Sequence, residues 1–441
     1  MKRKTTLVGL GAISLMAAGL APAAMAAAED ATFIVISNGN ALPKNFNAQV
    51  AKAGGSVSAA YPFGVAVVDA DTRFKGVPGT TMVQDLGFDV NFGPSVELDP
   101  DDLPPNSGND DPYFDLQWGH VPVGAVEAWE AGLSGEGVRV AVLDTGFDLY
   151  HPDLTPNINM DLSTDFTGEG LQYALPDTFS HGTHTAGTIG AADNAFGTIG
   201  VAPNAELVLV KVLSDLEGEG SFEDVFAGIY HATDVDADVI NMSLGAEIPR
   251  NSDEDDVTAL AVAMNKAVRY AYQNGTTVVV SAGNDASDLD GDGNMVRFMT
   301  SAPHAIGVSA YAPTGWASEI WDGNFFVPAS YTNYGTSMVD FSAPGGDGAY
   351  PGEEPCTVGG LTRACWIFDL VFSTGNGGWY WSGGTSMAAP HVAGVAALII
   401  EEKGGDLKPQ QVERELRSRA LDVGKPGTDD FHGRGAVHTG Y

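Results

Sequence analysis

The chain has 441 residues, 44% of them apolar, enough for one large domain and a smaller one. It carries 57 acidic against 21 basic side chains, a formal net charge of −36. Partners that present phosphate or an anionic surface need clustered cations, so nucleic acid and the membrane surface are excluded as partners. The acidity itself is open to three readings: solubility through self-repulsion, a saline habitat, or several bound cations.

Residues 1–26 read as a secretory signal peptide. Lys2-Arg3-Lys4 precede an apolar run from Leu7 to Leu20, and Ala24-Met25-Ala26 has the A-x-A cleavage pattern. The run is short for a hydrocarbon core of about 30 Å, and no later apolar stretch is long. A soluble, secreted (extracellular) protein is the expectation.

Residues 30–75 form a small α+β unit, with a strand at Thr32–Ile36, a helix at Phe46–Ala53 and a strand at Gly64–Val68. Residues 76–110 read as linker and maturation region. From Asp99 to Pro112, Asp, Pro, Asn and Gly replace apolar residues, which marks an exposed cleavage zone with a junction between Val96 and Asp110.

Residues 111–441 change pattern. β-branched runs at 138–143, 207–212, 238–243, 276–280 and 305–308 alternate with helices at Phe222–Thr233, Val257–Asn274 and Met387–Glu401. This reads as an α/β fold with buried, mainly parallel strands. Functional groups in such sheets gather beyond the carboxyl ends of strands. That rule selects Asp144, Ser243-Leu244-Gly245 and Ser281-Ala282-Gly283-Asn284.

Three motifs carry chemistry. Asp144 ends a strand in Leu-Asp-Thr-Gly, where a carboxylate is held buried. His181 opens a helix of small residues in Ser-His-Gly-Thr-His; His184, one turn on, reads as packed and hydrogen-bonded. Ser386 sits at the mouth of an apolar helix in Gly-Gly-Thr-Ser-Met-Ala-Ala-Pro-His, beside free backbone N–H groups suited to a developing oxyanion. The two cysteines, Cys356 and Cys365, pair in an oxidising compartment or remain free thiols.

Together, Asp144, His181 and Ser386, 37 and 205 residues apart, resemble the triad of the subtilisin-like serine peptidases (subtilases) in type and order. The resemblance runs from about Asp111 to Tyr441, and Asp111-Pro112-Tyr113-Phe114 resembles the thermitase branch. It implies a three-layer subtilisin-like fold and peptide-bond hydrolysis through an acyl-enzyme. Ser386 would be nucleophile, His181 base and Asp144 its orienter, with Asn284 as oxyanion donor. It implies that Ser243, Leu244 and Gly245 pair with substrate and that Ser281, Ala282 and Gly283 wall the first specificity pocket. A rough alignment brings Arg297 near the pocket base, which favours acidic substrate side chains.

The resemblance also implies calcium, held by Asp111, Asp153, Ala192, Asn194, Phe196 and Thr198. A second candidate stands without it: Asp288, Asp290 and Asp292 alternate before Gly like the first half of an EF-hand loop, or else form a solvated acidic turn. The 30–75 unit resembles the family's inhibitor-like propeptide, which chaperones folding, blocks the cleft and is cut away from a monomeric enzyme.

Two other classes compete. A binding protein on a retired protease scaffold would lack a triad member, and none is missing. A nucleotide-dependent oxidoreductase needs Gly-x-Gly-x-x-Gly after the first strand, where this chain has Asp144-Thr145-Gly146-Phe147-Asp148.

Overall fold

The computed structural model describes residues 30–441 apart from 86, 90–91, 100–108, 177, 217, 250–253, 292, 319–323 and 350–352. The expected signal peptide, most of the acidic 99–112 stretch and Asp292 therefore lie outside the described residues.

The small unit is a four-stranded antiparallel sheet in the order Gly55–Tyr61, Val65–Asp71, Asp30–Ser37, Thr80–Gln84. Strand alternation gives it two faces. Phe33, Val35, Ala66 and Val68 cover the helix Phe46–Lys52. Ile34, Ile36, Val65 and Val67 face the other way, into a core shared with the large unit's helices Phe222–Asp234 and Glu254–Gln273. Each such side chain is worth about 1.5–3 kcal/mol when fully buried, so docking rests on apolar burial.

The large unit is built on an eight-stranded sheet. Strands Phe341–Pro344, Ala305–Ala312, Thr277–Ser281, Val239–Met242, Arg139–Asp144, Glu206–Lys211 and Thr164–Asp165 are parallel neighbours in that order, and Val327–Pro328 pairs antiparallel with Ala305–Ala312. In the central strands, Ala141, Leu143, Ile240, Met242, Val278 and Val280 point to one helical layer. Val140, Val142, Val239 and Val279 point to the other, which contains the helices His181–Gly190, Thr385–Glu402 and Pro409–Arg419. Helices on both faces make three layers, as expected, and explain why the strands read as unbroken apolar runs.

Residues 76–110 are more than a linker. Thr80–Gln84 completes the small sheet, and two short strands cross to the large unit: Phe88–Asp89 pairs with Glu219–Gly220, and Ser95–Glu97 with Trp379–Ser382. These pairings use the main chain, which leaves little trace in side-chain pattern. A disulfide joins Cys356 to Cys365 across the hairpin Pro355–Val358/Leu361–Ala364. No helix among the described residues is long and apolar enough to cross a membrane.

Candidate active site

Asp144 is the last residue of its strand and is fully buried. Its Oδ1 accepts from Thr145 N at 2.7 Å and faces His181 Nδ1 at 2.7 Å; its Oδ2 accepts from Thr185 Oγ1 at 3.0 Å. Three partners hold the carboxylate, and its bond to Nδ1 puts the imidazole proton there, leaving Nε2 as acceptor.

His181 is held from its own helix. Ser180 caps that helix by accepting from Thr183 N at 3.2 Å, and its hydroxyl donates to Gly146 O at 2.9 Å. Gly182 N donates to Thr145 Oγ1 at 3.0 Å, and a Cβ there would meet Thr145 O at 2.8 Å. The glycine lets the helix start close on the turn after Asp144. His184 is buried as expected, its Nε2 within 3.2 Å of the Val371 and Tyr380 carbonyls, and burial pushes its pKa down to about 3.

Ser386 is the second residue of the helix Thr385–Glu402, which contains Pro390. Its Oγ donates to Ser243 O at 3.2 Å, while Ser243 Oγ donates back to Ser386 O at 2.7 Å. Among the described residues, the buried His181 Nε2 has no hydrogen-bond partner. The expected chain from hydroxyl through imidazole to carboxylate is thus closed at Asp144–His181 and open at His181–Ser386. A hydroxyl is a rotor, and such links often tighten only when substrate is bound.

Asn284 Oδ1 accepts from Thr385 N and Thr385 Oγ1, both at 2.9 Å. With Oδ1 fixed next to Ser386, the amide nitrogen is left to donate. Ser243, Leu244, Gly245, Ser281, Ala282 and Gly283 line one pocket of about 190 Å³ with Asn284 and Ser386. Arg297 lines it too, buried and ion-paired: its Nε donates to Glu247 Oε1 at 2.7 Å, with the two residues opposite each other across a strand pair. Burial raises the Glu247 carboxyl pKa and Arg297 opposes that shift. The expected cation is therefore neutralised by a carboxylate the sequence reading missed.

A stretch of the chain itself lies in the cleft. Phe88 packs edge-on against Phe222, with ring centroids 5.3 Å apart, and the Phe92 ring lies 4.6 Å from that of His181. Pro94 O accepts from Gly383 N at 3.2 Å and from Ser382 Oγ at 3.0 Å.

Asp111, Asp153 and the loop 192–198 also meet. Asp111 Oδ1 accepts from Asn194 N at 3.4 Å and Phe196 N at 3.2 Å; Asp153 Oδ2 accepts from Thr198 N, Thr198 Oγ1 and Trp379 Nε1. Among the described residues, the buried Asp153 Oδ1 has no partner, and ligand oxygens of Asp110, Asp111 and Asp193 lie within 4.8 Å of one another. Burial, with Asp193 adding to it, pushes the Asp111 carboxyl up to about 6. The Asp153 oxygen and the Asp110–Asp111–Asp193 cluster flank the same loop and are the oxygen donors a hard divalent cation takes. Asp110 and Asp193 belong to this set and were not anticipated.

Of the second candidate, Asp288 and Asp290 are described. Asp288 Oδ1 accepts from Asp290 N and Gly291 N at 3.0 Å. Asp290 spends both oxygens on Thr336 N, Thr336 Oγ1 and Ser337 N, at 2.8–2.9 Å. The two exposed carboxylates close a turn and dock a neighbouring loop, which is the acidic-turn alternative for these two residues.

Comparison with known proteins agrees with this geometry. Residues 135–435 match the Subtilase family. The chain belongs to that family of serine endopeptidases. It is 33% identical over 322 residues to "Major intracellular serine protease" of Bacillus subtilis (strain 168), covering 70% of this chain and 85% of that one. It is 35% identical over 308 residues to "Subtilisin NAT" of Bacillus subtilis subsp. natto, covering 70% and 66%. The match to "Minor extracellular protease Epr" of Bacillus subtilis (strain 168), at 29% identity, covers 73% of this chain and 41% of that longer protein. The crystal structure of the "Epidermin Leader Peptide Processing Serine Protease" from Staphylococcus aureus superposes with TM-score 0.70 over 93% of this chain and 97% of that one. At 22% identity that likeness concerns the fold.

Proposed function

We propose that the chain is a secreted subtilase, made as a zymogen, that hydrolyses peptide bonds through an acyl-enzyme on Ser386. The observation that carries this is the Asp144–His181 bond at 2.7 Å, together with a pocket that Ser386 and Asn284 both line. Turned from Ser243 O toward Nε2, the Ser386 hydroxyl gives its proton to His181 as its oxygen adds to the substrate carbonyl. The resulting oxyanion is met by Asn284 Nδ2 and Ser386 N–H. His181 returns the proton to the leaving amine, and water then releases the acyl group by the reverse roles. Ser243–Gly245 would receive the substrate as an added strand.

Residues 1–26 would direct export, and 30–75 would act as chaperone and inhibitor. The cleft-bound stretch supports this: Asp89 pairs with Glu219, and Phe92 lies beside His181. The maturation cut then falls within 89–93, upstream of the acidic stretch that composition alone suggests. Calcium at Asp110, Asp111, Asp153, Asp193 and the 192–198 loop would supply stiffness: it would tie the segment at Asp111 to the loop that follows the His181 helix.

The experiment is N-terminal sequencing and intact mass of secreted wild type and Ser386→Ala. Wild type is expected to begin within 89–93 and Ser386→Ala to keep the 30–75 unit. The same start in both, or a wild-type chain beginning before Phe33, would contradict the proposal.

A further inference from the structure

Asn333 is fully buried, and nothing in the reaction scheme uses it. Its side chain nevertheless fills every hydrogen-bonding position a carboxamide has. Oδ1 accepts from Asp285 N at 2.9 Å and Ser287 N at 3.0 Å; Nδ2 donates to Ala282 O and to Glu247 Oε1, both at 2.9 Å. Its main-chain N–H donates to Gly283 O at 3.0 Å. These partners bracket Asn284 on both sides. The fifth, Glu247, is the carboxylate that pairs with Arg297 in the pocket.

The fit leaves no slack. A Cβ on Gly283 would lie 2.3 Å from Asn333 Nδ2, and Gly283 has φ +100°, a conformation open to glycine. Among the described residues, the Asn284 side chain is tied through Oδ1, to Thr385. That bond sets the rotation of the amide, while the position of its backbone depends on the segment 282–287. An oxyanion donor displaced by about 1 Å loses on the order of 10²-fold in rate.

We propose that Asn333 is a positioning residue for the oxyanion donor: it clamps the backbone before and after Asn284 and anchors that loop to the pocket's Glu247. The inference rests on the reading of Asn284 as that donor. Asn333 touches no reacting atom, so its effect passes through Asn284 and must vanish when Asn284 no longer donates.

The test is a double-mutant cycle. Asn333→Ala and Asn333→Asp are made in the parent and in Asn284→Gly, and kcat and KM are measured on one peptide per active site titrated with a fluorophosphonate. Asn333→Ala should lower kcat by roughly 10–100-fold in the parent, with KM changed less than about threefold. In Asn284→Gly it should cost less than about threefold. Asn333→Asp keeps an acceptor for Asp285 and Ser287 but turns an oxygen on Ala282 O and Glu247, so it should be no milder. If Asn333→Ala is not recovered folded, Asn333→Ser carries the same comparison. Parental kcat per titrated site, or an equal loss in both backgrounds, overturns the clamp. Parental kcat in Asn284→Gly alone overturns the donor assignment beneath it, a failure the single variant distinguishes.

Discussion

The two walls of the cleft are built to different tolerances. On the wall of the base, Asp144 has three hydrogen-bond partners, and Ser180, Gly182 and Thr185 tie the His181 helix to the strand end. On the wall of the nucleophile, Asn284 and Ser243 are fixed, but the Ser386 hydroxyl donates to Ser243 O and not to the base. The base is preset and the nucleophile is the moving part. The difference teaches that this subtilase spends its hydrogen bonds on tautomer and orientation and leaves the transferable proton loosely held.

The largest expected effect breaks the rigid wall. Asp144→Ala should lower kcat by about 10⁴-fold, since in subtilisin itself loss of the triad aspartate alone costs about 3 × 10⁴. Steady-state kinetics on a peptide substrate check this. A loss below tenfold would mean that the preset base is not needed.

On the other wall, Asn284→Gly should cost about 10²–10³ in kcat with little change in KM, the range known for subtilisin's own oxyanion asparagine. The ratio of the two losses measures how much the walls differ.

Cation removal sharpens the comparison from the far end of the base wall, where the His181 helix runs into the 192–198 loop. EDTA should lower the Tm of Ser386→Ala by several degrees and accelerate its proteolysis, and Asp153→Asn should abolish that sensitivity. Asp290→Asn should leave it intact, because that carboxylate serves Thr336 and Ser337. Melting curves with and without EDTA decide it.

The pocket on the nucleophile's side holds a compensated charge. Arg297 is paired with Glu247, so the parent should not favour an acidic side chain at the first specificity position. Glu247→Gln should raise cleavage after Glu relative to Gln by about tenfold, one charge-assisted interaction's worth. A peptide series differing only at that residue reads the ratio.

The smallest effect concerns pH. Asp369 is buried, its Oδ2 accepting from Gly315 N at 2.9 Å, and burial pushes its carboxyl up to about 8. A carboxyl raised on folding gives stability that is full below its unfolded pKa of about 3.9 and lost as pH rises toward about 8. Asn does not titrate, so the Tm of Asp369→Asn minus that of its parent should grow more positive from pH 5 to pH 8. A difference independent of pH would contradict the sign.

What the sequence disclosed follows the same physics. The central strands were legible because burial on both faces demands unbroken β-branched runs, and their ends were legible because Asp144, Ser243 and Asn284 interrupt those runs. The strands Gly55–Tyr61, Thr80–Gln84 and Ser95–Glu97 were not, since one face is solvated or the pairing is purely main-chain. Glu247, Asn333, Thr385 and Phe92 act through partners at least 46 residues away in the chain, and that distance hides their pairing from local pattern. The acidic loops show the converse. Asp153 and Asp290 look equally ligand-like in sequence, and only burial separates an orphaned oxygen from two satisfied ones.

The most direct measurement is covalent labelling with a fluorophosphonate, read by peptide mass spectrometry on wild type, Ser386→Ala and His181→Ala. One adduct on Ser386, absent in Ser386→Ala and formed far more slowly in His181→Ala, is the predicted result. Peptide hydrolysis that survives in Ser386→Ala, or an adduct on another residue, would contradict the assignment.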